Sequence, residues 1–150
     1  MLHLRRITSL AAALVAIAST QVHAEGQVDP ATLYEVSTEG TSTKVKGGEQ
    51  GVFVLSIKSK AGAHVSDEAP LKLELKGGTQ LAPAQEKLAL KDSVAKKAAG
   101  QQFVDPRFEV PFKATAAGKG SLEAKLTFFI CTESLCARQQ KTFSLPVEVL

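Results

Sequence analysis

Leu122-Glu-Ala-Lys-Leu-Thr-Phe-Phe-Ile-Cys-Thr-Glu-Ser-Leu-Cys-Ala-Arg-Gln-Gln-Lys-Thr-Phe-Ser-Leu-Pro-Val-Glu-Val149 decides the fold. Leu122, Ala124, Leu126, Phe128 and Ile130 recur at period two, so one face of a long strand is apolar. Phe143, Leu145, Val147 and Val149 repeat the pattern, with Pro146 on the other face. Between them lies Cys131 to Gln140. Two alternating runs around a short polar segment read as a β-hairpin, with Cys131 and Cys136 at its tip.

Upstream segments repeat the signal. Gly51-Val-Phe-Val-Leu-Ser-Ile-Lys58 is dense in β-branched and aromatic residues and follows the Gly47-Gly48 turn signal. Leu71-Lys-Leu-Glu-Leu75 alternates strictly and stops at Gly77-Gly78, as a half-buried strand does. Arg107-Phe-Glu-Val-Pro-Phe112 alternates too, and Pro111 points to an edge or a bulge. Leu81 to Gly100, rich in Ala and Lys, is read as irregular: Leu88 and Leu90 have strand spacing, whereas Ala95-Lys-Lys-Ala-Ala99 suits a short helix. Short strands at intervals of roughly ten residues with Gly/Pro turns predict an all-β, immunoglobulin-like two-sheet sandwich. The chain contains no Trp, and its two cysteines lie too close together to bridge two sheets, so the antibody-type core is not expected.

The first residues carry an export signal. Arg5 and Arg6 precede the apolar run Leu10 to Ala18, and Val22-His23-Ala24 presents small or β-branched side chains at the positions a signal peptidase reads. The apolar run is about half of what a membrane span needs. The reading is therefore a signal peptide over 1–24, cleaved after Ala24, in preference to a transmembrane or buried N-terminal helix. A flexible leader over 25–32 and one domain over 33–150 follow, in a periplasmic or secreted protein with no transmembrane segment after cleavage. Arg5 and Arg6 supply two of the 18 Lys plus Arg, set against 15 Asp plus Glu, so the remainder is close to neutral. Near-neutrality gives no electrostatic case for nucleic acid or an anionic membrane as partner.

In an oxidising compartment, two nearby cysteines read first as a disulfide. Cys131-Thr-Glu-Ser-Leu-Cys136 is a C-x4-C loop, and a hairpin tip brings its ends within bonding reach. Closing so short a loop constrains the unfolded chain by only about 2 kcal/mol on the chain-entropy argument. Two readings follow, a structural staple or an exchanging redox pair. Arg138 favours a thiolate there and Glu133 opposes it. His64, the one imidazole outside residues 1–24, lies near Asp67 and Glu68, but falls short of the usual zinc or copper ligand sets. It is read as a solvated turn histidine. No metal or cofactor is expected. A serine-hydrolase elbow is absent, since no glycine follows Ser121 in G-x-S-x-G fashion.

Three stretches resemble the N-terminal periplasmic domain of the thiol:disulfide interchange protein DsbD. They are Ile57-Lys-Ser-Lys-Ala-Gly-Ala-His-Val65 running into Leu71–Leu75, Phe108-Glu-Val-Pro-Phe-Lys-Ala-Thr-Ala-Ala-Gly118, and Leu126–Cys131 through Cys136 to Lys141-Thr-Phe-Ser-Leu-Pro-Val147. The resemblance covers Phe53 to Val149. It implies an immunoglobulin-like sandwich whose hairpin cysteines, Cys131 and Cys136 here, receive electrons from a thioredoxin-like domain and pass them to other periplasmic disulfide-handling proteins. This chain departs from the family pattern in having four residues between the cysteines instead of five. Ala137-Arg-Gln-Gln140 stands where the family has an aromatic-proline run. The family also caps its cysteines with an aromatic loop, whereas Leu81 to Gln102 has no aromatic residue and Phe103 is the nearest candidate. The alternative to an exchange partner is a non-catalytic periplasmic protein-binding or structural module whose disulfide only staples the hairpin. The oligomeric state is open.

Overall fold

Alternating apolar side chains need two facing sheets to bury them, and that is how the chain folds. The computed structural model describes residues 26–150; the expected signal peptide over 1–24 lies outside the described residues. In chain order the strands are β1 (Tyr34–Ser37), β2 (Lys44–Val45), β3 (Gln50–Ser59), β4 (His64–Val65), β5 (Lys72–Lys76), β6 (Leu81–Pro83), β7 (Lys87–Leu88), β8 (Arg107–Ala114), β9 (Gly118–Cys131) and β10 (Cys136–Val149). One sheet has the order β1-β3-β8-β6; the other runs β2-β10-β9-β5-β7, with β4 also pairing β9. The architecture is an all-β sandwich. Among the described residues no helix is long and apolar enough to cross a membrane.

The core lies between the sheets. Phe53, Leu55 and Ile57 of β3 and Phe108, Val110 and Phe112 of β8 face Leu73 and Leu75 of β5 and the apolar row of β9, all of them buried. Leu122, Ala124, Leu126, Phe128 and Ile130 are each 3% exposed or less, as period two requires. On β10 only Val147 and Val149 are fully buried; Phe143 and Leu145 are partly covered. The first half of β10 therefore reaches beyond the core.

Gly77 and Gly78 carry the chain from β5 in one sheet to β6 in the other. Gly78 has φ +61°, and a Cβ on Gly77 would collide with the Leu81 carbonyl, so a bulkier residue at either position is strained. Pro111 is not on an edge: β8 lies between β3 and β6. Its carbonyl accepts from the Ala84 N–H at 2.8 Å, just past the end of β6. In an antiparallel strand the N–H of a residue points the same way as its carbonyl. The hydrogen bond proline cannot donate thus falls where pairing stops.

The stretch read as irregular holds β6, β7 and a 3-10 turn at Leu90–Asp92, and the Ala95–Ala99 segment forms no helix. In the expected leader, Pro30–Thr32 makes a 3-10 turn, with Asp29 accepting from the Ala31 N–H.

Candidate functional site

β9 and β10 pair in register along their whole length, and the last pair before the turn is Cys131 with Cys136. The two are joined by a disulfide with Cα atoms 4.1 Å apart. The separation follows from the ladder. Thr132 N–H donates to the Leu135 carbonyl at 2.8 Å, so the adjacent 131–136 pair falls at a non-hydrogen-bonded position, where antiparallel backbones approach most closely. No non-glycine residue among those described has positive φ, so the tip is not one of the glycine- or asparagine-rich primed turns. The Thr132 hydroxyl holds it instead, accepting from the N–H groups of Ser134 and Leu135, each at 3.3 Å.

The two halves of the disulfide differ in access. Cys131 is 2% exposed, whereas Cys136 is open to solvent. Ile130 belongs to the core, so the neighbouring Cys131 points to the outer face of its sheet. It is buried there because β4 lies against β9, with His64 directly opposite Cys131 and Val65 opposite Ile130. Cross-strand partners share a face, which sets the imidazole beside the buried cysteine.

The His64 ring is stacked under Phe103, with centroids 3.5 Å apart and 10° between planes. The segment carrying Phe103 is pinned at both ends. The buried Ser93 hydroxyl accepts from the Arg107 N–H at 3.0 Å, and Asp105 accepts from the Ser59 N–H at 3.2 Å. Between the pins, Lys97 donates to Asp67 at 3.2 Å. That hydrogen bond holds the Asp67 carboxyl below the usual carboxylate range; its own backbone N–H and the proximity of Lys97 and His64 add to the effect, against a smaller desolvation. Two recesses flank Phe103. One, of about 200 Å³, is mainly apolar and includes Val65, Leu90 and Val104. The other, of about 410 Å³, includes Ser59, His64, Gln101 and Asp105. The Ser59 hydroxyl is buried and has no hydrogen-bond partner among the described residues.

The sequence expectation of a cysteine pair at a hairpin tip therefore stands, with Cys131 and Cys136 bonded to each other. The expectation for His64 does not. It is a half-buried strand residue beside Cys131, not a solvated turn residue, because Phe103 covers it and β4 pairs with β9. The run Ala63-His-Val-Ser66 is too short to show a period, and nothing in the local sequence signals that it pairs with Cys131. Phe103, which lies just past the stretch without aromatic residues, is the ring that stacks on His64.

No family model matches the chain, and no curated protein matches it. Among solved structures it is similar to the native conformation of alpha-2-macroglobulin from E. coli, at 18% identity and a TM-score of 0.39, over 77% of this chain and 6% of that one. The chain thus spans only a small part of that protein's length. It is also similar to a conjugative transposon lipoprotein from Bacteroides eggerthii, at 9% identity and a TM-score of 0.35, over 74% of this chain and 96% of that one.

Proposed function

We propose that this chain is an exported thiol–disulfide exchange protein whose Cys131–Cys136 bond is reduced by a thioredoxin-like dithiol partner. The observation that carries the reading is the asymmetry of the bond: an open Cys136 joined to a buried Cys131 at the far end of a hairpin. Thiol–disulfide exchange needs one sulfur within reach of an incoming thiolate and a second that leaves. The short loop supports it as well, since a bond placed only for stability gains more by joining distant strands. His64, cross-strand from Cys131 and covered by Phe103, sets an imidazole next to the buried half of the bond.

The reaction is a two-electron exchange. A partner thiolate attacks Sγ of Cys136, the Cys131–Cys136 bond breaks, and its electron pair leaves on Sγ of Cys131, which takes a proton from solvent. The partner's second thiolate then attacks its own sulfur in the mixed disulfide and releases Cys136 as a thiolate. Cys136 then takes a proton from solvent, so the partner ends as a disulfide and this chain as a dithiol.

Trapping tests the assignment. The Cys131→Ser variant, which keeps the open cysteine, accumulates a mixed disulfide with a thioredoxin-like protein in exporting cells, and Cys136→Ser accumulates far less. The Cys131–Cys136 couple has a reduction potential above about −300 mV, in the range of exchanging pairs. A potential well below that value, with no mixed disulfide from either variant, leaves the disulfide as a staple in a non-catalytic module.

A further inference from the structure

The long strand that ends at Cys136 has an open side. In its sheet β10 pairs with β9 on one edge, and on the other β2 meets it only at Glu148 and Val149. From Cys136 to Val147 no described strand lies on that edge. The ladder fixes which backbone groups point outward. Cys136 sits at a non-hydrogen-bonded position against Cys131, so its N–H and C=O face away from β9, and the same holds at every second residue. Glu148 confirms the phase, since its N–H donates outward to Thr43 at 2.9 Å. The outward residues are therefore Cys136, Arg138, Gln140, Thr142, Ser144 and Pro146. Among the described residues, the one hydrogen bond to this row is local: the Gln139 side-chain amide donates to the Arg138 carbonyl at 2.9 Å. Pro146 has no N–H to offer, so the row of donors ends at Ser144, before β2 begins.

We infer that this edge, from Cys136 to Ser144, is a docking edge on which an extended, acidic segment of the thiol-bearing partner adds as a further strand. An open row of donors and acceptors is the feature that strand addition uses, and here the row begins at the exposed half of the disulfide. A segment paired along it is aligned to present a thiol to Cys136. Charge selects the occupant. Between Glu133 and Glu148 the chain has no acidic residue, and Arg138 and Lys141 are both exposed; the one carboxylate at this edge, Glu123 of β9 at its Ser144 end, already accepts from the Ser121 and Ser144 hydroxyls. An acidic strand is attracted to that edge. A second copy of this chain is disfavoured, because self-pairing brings two basic edges together. The identity of the partner rests on the exchange reading; the edge itself does not.

The test tethers a strand chemically. The Cys131→Ala variant is joined through Cys136 to a nine-residue peptide with one terminal cysteine and glutamate at alternate positions, long enough at about 3.4 Å per residue to span the edge. The same variant joined to mercaptoethanol is the control. The expected result is that the amides of Arg138, Gln140 and Thr142 exchange with solvent at least about tenfold more slowly than in the control. A peptide with lysine in place of glutamate protects them less. Unchanged exchange at those three amides overturns the inference. So does equal protection by the two peptides, or a dimer of the oxidised protein in sedimentation velocity that slows the same amides. Because the tether is made by chemistry, protected amides without any mixed disulfide in cells uphold the edge and sink the exchange reading alone.

Discussion

Tyr34 ties the two sheets together at one corner. It lies on β1 of the first sheet, 4% exposed, with its ring edge-on to Phe128 of β9 at 4.8 Å and 84°. Its hydroxyl donates to the Gln139 side-chain oxygen on β10 at 3.0 Å, and the Lys141 ammonium sits 5.7 Å from the ring centroid. Burial, and after it the charge of Asp29, raises the phenol pKa above its ordinary value. The consequence for stability has a definite sign. Below about pH 10 the phenol is neutral in the folded and the unfolded chain, and its contribution is fully present. As the pH climbs past that value the unfolded chain gives up its proton first, so stability falls until the folded phenol ionises as well. Tyr34 is the only tyrosine and there is no Trp, so absorbance at 295 nm reads this one group. We expect its midpoint in the folded protein to lie above that of the urea-unfolded chain, with the free energy of unfolding declining through the same window. Tyr34→Phe abolishes that component of the alkaline loss. A folded midpoint at or below the unfolded one means that the ring is not enclosed as described.

At the scale of elements, the β9–β10 hairpin is where sequence and structure correspond most closely, for a physical reason. Each strand has 14 residues, enough to display a period of two unmistakably, and the buried row Leu122 to Ile130 is that period made solid. The cysteine pair was legible for the same reason, because strands in register set their end residues side by side. β6 and β7 were not legible. Strands of three and two residues have no period, and their positions are set by β8 and β5, which are distant in sequence. Ala95–Ala99 has helical composition, but a segment that short is marginal as a helix, and the hydrogen bonds at Ser93 and Asp105 tie the stretch to the start of β8 and the end of β3. The placement of His64 opposite Cys131 was invisible for the same cause. The hairpin also yields a stability expectation. Cys131→Ala with Cys136→Ala avoids burying a new hydroxyl and opens a loop of only four residues, so the loss is about 2 kcal/mol on the chain-entropy argument. Urea unfolding of the oxidised protein and the double variant measures it. A loss beyond about 4 kcal/mol would give the disulfide a structural weight that so short a loop does not predict, and would favour the staple over the exchanging pair.

Across the whole molecule, one shared core makes the sheets interdependent. Phe53, Phe108 and Phe112 from the first sheet and Phe128 from the second are all at most 1% exposed, and Tyr34 of the first sheet packs on Phe128 of the second. Neither sheet keeps a buried face without the other. A cavity made in one is therefore felt in both, since close-packed interiors relax only partly around a deleted ring. Phe128→Ala should lower stability by about 3–5 kcal/mol. Tyr34 fluorescence follows the junction between sheets, and far-UV circular dichroism follows strand content as a whole. In the wild type and the variant alike, the two signals should lose structure in a single coincident transition, as one cooperative unit does. Arg138→Ala, on the exposed first half of β10, should stay within about 0.5 kcal/mol of wild type, because it removes no buried contact. Separate transitions in Phe128→Ala, with the tyrosine signal lost well before the strand signal, would show instead that the sheets hold together independently and that the hairpin is an appendage to the core rather than half of it.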